Sequence, residues 1–113
     1  KKTWVRQIGT YFTYPFPPVF YHRKAEIVRK IFNKEVIGIE LQAEPWGPTL
    51  LADSPVAEQQ KTMDLEQFKY NIEFAQNTGL KTHYLWGAEW WYWLKEKQQK
   101  SEIWDEAKKL FNQ

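Results

Sequence analysis

Three glutamates stand beside tryptophans in two short segments, Glu40 and Glu44 in VIGIELQAEPWGP (36–48) and Glu89 in THYLWGAEWWYW (82–93). Each segment begins with an apolar run of strand character, so the carboxylates fall at or just past strand ends. Carboxylates placed there can serve as general acid, general base or nucleophile. Indole and phenol faces next to them offer flat apolar platforms for the C–H faces of pyranose rings, and paired carboxylates are what glycosidic bond cleavage uses. Glu40, Glu44 and Glu89, with Trp46, Trp86, Trp90 and Tyr14 as stacking candidates, are therefore the residues whose chemistry matters most.

Aromatic content is the outlying property of the chain, at 18% of residues. Part of it must fill a core. Trp86, Trp90, Trp91, Tyr92 and Trp93 nevertheless fall so close together that neither a strand nor a helix can bury all of them, and some must line a surface or cleft.

A length of 113 residues suits one domain, and 42% apolar content is too high for wholesale disorder. Sixteen basic and fourteen acidic residues leave a net charge of +2, and the lysines are interspersed with Glu and Gln, so neither nucleic acid nor an anionic membrane is an expected partner. The absence of cysteine excludes disulfides and thiolate metal sites. His22 and His83 have no ligand spacing, no glycine-rich phosphate loop is present, and neither a metal nor a cofactor is expected. No apolar stretch approaches the roughly 20 residues of a membrane-spanning helix. The chain opens Lys1-Lys2-Thr3 without a signal-peptide pattern, as a segment cut from a longer protein would.

The elements that must position the candidates follow from periodicity. The prolines of YPFPP (14–18) make the stretch before the first helix irregular. Tyr21, Ala25, Val28 and Phe32 step as one face of a helix over about 20–32. Residues 36–41 are short and apolar, as a strand covered on both faces would be, and 45–63 form a long loop. Asp64 caps the next helix with Gln67 in the capping-box position, and Gly79 ends it. Residues 80–86 read as a second strand, the aromatic segment after it has no assigned conformation, and Ser101 caps a final helix.

Strands alternating with helices predict an α/β fold with parallel pairing. Two strands cannot complete such a layer, so residues 1–113 are expected to be part of a larger sheet or barrel with about three helices. Alternation along 36–41 puts Val36, Gly38 and Glu40 on one face and Ile37, Ile39 and Leu41 on the other. The bulkier face suits packing against helices, which predicts that Glu40 is the last residue pointing the other way, at the mouth.

IELQAEPWGP (39–48), a capped helix, YLWGAEWWYWLK (84–95) and a closing helix together resemble the C-terminal portion of a (β/α)8-barrel retaining glycoside hydrolase of the cellulase-like, family 5-like superfamily. The resemblance implies a glycosidase acting on a β-linked poly- or oligosaccharide. The two strands would be the seventh and eighth, and YFTYPFPPVFY (11–21) would belong to the loop after the sixth. It implies Glu40 as nucleophile and Trp86 as the platform beneath the sugar, with Glu44, Trp46, Glu89, Trp90 and Tyr14 binding substrate. Glu44-Pro45 also resembles the Asn-Glu-Pro of the fourth-strand acid/base, but Ala43 stands in place of the Asn. The acid/base would come from the remainder of the barrel, so this portion alone would be inactive. A noncatalytic carbohydrate-binding domain, or an interaction domain with an aromatic surface, are the other two classes these features allow.

Overall fold

The computed structural model describes residues 1–111. A hairpin comes first: strand β1 (Lys2–Val5) pairs antiparallel with β2 (Thr10–Thr13) through a turn in which Gly9 takes φ 61°. Helix α1 (Pro18–Phe32) starts on Pro18, whose missing N–H costs nothing in a first turn. It ends on Asn33 in the left-handed conformation, which Asn adopts more readily than most residues. Strand β3 (Gly38–Gln42) follows, then a connection holding a 3-10 turn (Leu51–Asp53) and the short helix α2 (Val56–Gln59). Helix α3 (Leu65–Asn77) leads to strand β4 (His83–Trp86), and helices α4 (Ala88–Gln98) and α5 (Glu102–Phe111) close the described chain.

Strands β3 and β4 are parallel neighbours joined through α3, as the alternation of strand and helix predicts. The Asp64 cap is made, its carboxylate accepting the Gln67 N–H at 2.7 Å. Gly79 lies at φ 69° just past the end of α3, where a Cβ would collide with the His22 ring. The architecture is mixed α/β with more helix than the sequence suggests. The aromatic segment after β4 becomes α4, and the long connection contains α2 and the 3-10 turn. The N-terminal hairpin is a further addition, tied down by the Tyr11 hydroxyl donating to Glu58 of α2. Burial and this hydrogen bond push the Tyr11 phenol up to about 12.

One helical layer covers one face of the β3–β4 pair. Its core joins Ala43, Met63, Phe68, Trp90, Trp91, Leu94, Ile103 and Ala107, with Phe68 edge-on to Trp91 at 5.4 Å between ring centroids. The opposite face is bare. Along β4 the side chains alternate, His83 and Leu85 half-buried, Tyr84 and Trp86 exposed. Ile39 on β3 is exposed with them. The molecule is a slab 47 × 40 × 19 Å with a radius of gyration of 15.5 Å, against about 13 Å for a compact chain of this length. Among the described residues no helix is long and apolar enough to cross a membrane.

The register of β3 on β4 alters the face assignment drawn from alternation. Gly38 pairs with His83 and Leu41 with Leu85, so β3 spends one more residue than β4 over the same interval. Such a bulge shifts the phase of every later side chain. Gly38, which alternation placed with Glu40 on the mouth-facing side, instead sits against the His83 ring, where an added Cβ would lie 2.6 Å from Cδ2. Leu41 and its partner Leu85 both remain half-buried.

Phe68 is the largest fully buried side chain, so Phe68→Ala removes an aromatic ring from the centre of a thin core. The expected loss is about 3–5 kcal/mol of unfolding free energy. Urea denaturation followed by tryptophan fluorescence measures it, and a loss under about 1 kcal/mol would show that this cluster is not the core.

Candidate functional site

Pairing with β4 carries the β3 segment past Gln42: the Ala43 N–H donates to the Trp86 carbonyl at 3.0 Å, and Glu44 follows immediately. Glu44 is therefore the carboxylate at the carboxyl end of this strand, whereas Glu40 lies in its middle. The chain is held tightly at this point. Trp91 Nε1 donates to the Ala43 carbonyl at 2.7 Å from the first turns of α4. Gly87 turns the chain from β4 into α4 at φ 138°, and a Cβ there would sit 2.7 Å from Glu44 Cβ and 2.8 Å from the Ala43 carbonyl carbon. No side chain fits between the ends of the two strands.

Trp46, two residues on, is fixed through its backbone. Its N–H donates to Thr62 Oγ1 at 3.1 Å, and its carbonyl accepts from the Trp4 N–H at 2.9 Å and from Thr3 Oγ1 at 3.4 Å. Thr62 and Gln59, both buried, anchor the long connection beneath it. Gln59 donates to the carbonyls of Leu51 and Ser54 and accepts the Trp90 indole N–H at 2.7 Å. A polar network thus sets the loop that presents Trp46.

The structure brings four of the candidate residues together. Glu44 is half-buried, with the side chains of Trp86 and Trp46 close by and Glu89 in the first turn of α4 near enough to act on its charge. Burial pushes the Glu44 carboxyl above its ordinary range. Polar contacts from Trp86 and Trp46 pull it back, and Glu89 adds to the rise. Trp86 is 53% exposed, so one side of the carboxylate is an open aromatic surface. Tyr14 joins through Lys1, whose ammonium lies over both the Tyr14 ring, at 4.7 Å, and the Trp46 ring, at 4.8 Å.

Two candidates are placed elsewhere. Trp90 is 2% exposed with its N–H bonded to Gln59, which makes it a core residue and corrects the expectation that it stacks on substrate. Glu40 is exposed beside the bulge and lines a shallow groove toward α3 with Tyr21, Asn71 and Phe74. The bulge and the extension of the pairing to Ala43 remove the geometric argument that made Glu40 the strand-end acid. Among the described residues no cluster of three metal-ligating side chains occurs. Gly87, Thr62 and Gln59 went unrecognised in the sequence. The positive φ of Gly87 has a faint signature in its place between strand and aromatic run, while the two polar residues have none.

Comparison with protein-family models, with curated proteins and with solved structures gives no match. The case for a function rests on the site's own geometry.

Two outcomes test that geometry. Gly87→Ala forces a side chain into positive φ against Ala43 and Glu44, and the expected cost is about 1–3 kcal/mol with a shift in tryptophan emission. An unchanged melting temperature would contradict the close approach. Glu44→Gln tests the burial. A carboxyl whose folded pKa is raised disfavours folding once ionised, so its stability contribution is intact at low pH and lost as pH rises through the folded pKa. The Gln variant should therefore melt above the parent at pH 7, with the gain vanishing below the ordinary carboxylate range. A variant less stable at pH 7 would mean that the charge is favourably held.

Proposed function

We propose that this chain supplies the closing strands of a retaining (β/α)8 glycoside hydrolase acting on a β-linked glycan, with Glu44 in place of Glu40 as its catalytic carboxylate. The observation that carries the reading is the half-buried Glu44 carboxylate at the carboxyl end of β3, beside the half-exposed Trp86 at the same end of the parallel β4. α/β proteins place their sites at the carboxyl ends of parallel strands. Apolar stacking for a sugar face and a carboxylate for the anomeric carbon are the two things glycoside cleavage asks of one locus.

In this reading Glu44 attacks the anomeric carbon while a second carboxylate, roughly 5–5.5 Å away on the rest of the barrel, protonates the departing glycosidic oxygen. The glycosyl ester formed is then hydrolysed by water, which the same second carboxylate deprotonates. Trp86 holds the sugar ring, and Glu89 accepts hydrogen bonds from hydroxyl groups while discouraging a second negative charge close by. Because burial raises the Glu44 pKa, the acid limb of activity should lie above the ordinary carboxylate range, with turnover falling as pH drops through it.

A second reading is favoured by a separate observation, the exposed large apolar residues on the bare sheet face and along α1, including Ile39, Tyr84, Ile27 and Ile31. A protein-interaction domain would show such a surface as well. The incomplete barrel accounts for both the surface and the carboxylate, so it is preferred.

The deciding experiment treats the protein carrying this chain and the remaining strands with an activated 2-deoxy-2-fluoro glycoside and maps the labelled peptide. Label on Glu44, with turnover reduced on the order of 10⁴-fold or more in Glu44→Gln, is the expected result. Trp86→Ala should mainly weaken binding. Label on Glu40, or an active enzyme with neither residue labelled, would overturn the assignment.

A further inference from the structure

A hollow of about 270 Å³ opens beside the first turns of α4, lined by Leu51 and Ala52 of the 3-10 turn and by Glu89, Trp90 and Trp93 of the helix. Glu89 is the residue it shares with the proposed site. Gly87, two positions earlier, comes so close to β3 that a Cβ on it would lie 2.7 Å from Glu44 Cβ, and the Glu89 charge is felt at the Glu44 carboxyl. Trp93 follows Glu89 by four residues, so both project from one side of α4. Larger hollows lie against α5, but neither is lined by Glu44, Trp46, Trp86 or Glu89.

One buried amide holds the two walls of this hollow in place. Gln59 donates to the Leu51 carbonyl at 3.1 Å and to the Ser54 carbonyl at 2.8 Å on one side, and accepts the Trp90 N–H at 2.7 Å on the other. Leu51 and Trp93 also pack on the core. The hollow is thus preformed, and an occupant does not have to order it on binding.

We infer that this hollow receives an apolar aglycone, so that the substrate is a β-linked sugar chain joined at the cleaved bond to an alkyl or aryl group. The inference rests on the reading given under Proposed function. Apart from Glu89 the walls are aliphatic and aromatic, and the Trp90 N–H is already committed to Gln59. A further pyranose would bring several hydroxyls to a place that offers them one carboxylate. An apolar group needs no polar partner there and gains by leaving water. An apolar cavity of about 150 Å³ holds benzene, so the space here admits a single ring or a short chain. Cleavage follows the proposed double displacement, with the aglycone leaving as an alcohol or phenol whose proton comes from the second carboxylate.

The test uses the full-length protein and paired methyl and hexyl β-glycosides of cellobiose, mannobiose, xylobiose and lactose, compared by kcat/KM for release of the alcohol. The two alcohols are similar leaving groups, so the comparison reads the chain and not the chemistry. The expected result, on whichever sugar is cleaved, is at least roughly a tenfold preference for the hexyl compound, expressed mainly in KM. Ala52 is exposed on the 3-10 turn, and Ala52→Glu places a charge in the hollow without disturbing the core. That variant should bring the hexyl compound down to the methyl one, and Trp93→Ala should also shrink the preference. If both compounds are cleaved equally well by the parent, the inference is overturned and the glycosidase reading stands. If the preference survives Ala52→Glu, the hollow is not its source and the inference is again overturned. If no compound is cleaved, the glycosidase reading itself fails and takes this one with it.

Discussion

The approach of Ala43 to Gly87 is the constraint on which the polar end of this molecule depends. Parallel strands bring their carboxyl ends together, but here the backbones themselves meet, with no room for a Cβ at Gly87. That contact aligns the Ala43 N–H with the Trp86 carbonyl and lets Trp91 cap the Ala43 carbonyl. Glu44 follows directly and is half-buried. Burial is the largest cause of the raised Glu44 pKa, and the neighbouring Glu89 charge a lesser one.

A second principle of construction is that buried polar side chains do the work of secondary structure in the long connection. Gln59 ties the 3-10 turn to Trp90, Thr62 holds Trp46, Asn71 donates to the Gln42 carbonyl at 2.8 Å, and Gln42 holds the start of β1. Every buried side-chain nitrogen and oxygen among the described residues finds a partner. A satisfied network of this kind costs little and specifies one arrangement, whereas an unpaired amide would cost about 1–3 kcal/mol. The loop that presents Trp46 is accordingly held by side chains, without a strand or a long helix.

The tryptophans divide between these tasks. Trp90 and Trp91 fill the core and use their N–H groups as struts, while Trp86 and Tyr84 stand on the bare side of the sheet. The molecule is a slab only 19 Å thick, and parallel strands are ordinarily covered on both faces. The same incompleteness leaves apolar side chains of α1 and β3 in solvent, and it is the physical reason to look for further strands against β3 and β4.

What the sequence by itself determined are the features written in short-range spacing. The helices now seen at 18–32, 65–77 and 102–111, the cap at Asp64, the stop at Gly79 and the parallel pairing of two short apolar strands all follow from side chains within one or two turns of each other. That the aromatic run could not all be buried was legible for the same reason, but which of its members are buried was not, since Trp90 was expected on substrate and lies in the core. Tertiary structure decided the rest. The bulge between Gly38 and Leu41 exists because of what faces it across the strand pair, and it breaks the alternation by which Glu40 was placed. The aromatic segment becomes a helix because Gly87 can turn at φ 138° against Ala43 and because Trp90 and Trp91 find distant polar partners. Which glutamate stands at the strand's end is a question of register, and register is set by contacts between residues more than forty positions apart in the chain, which no local spacing encodes.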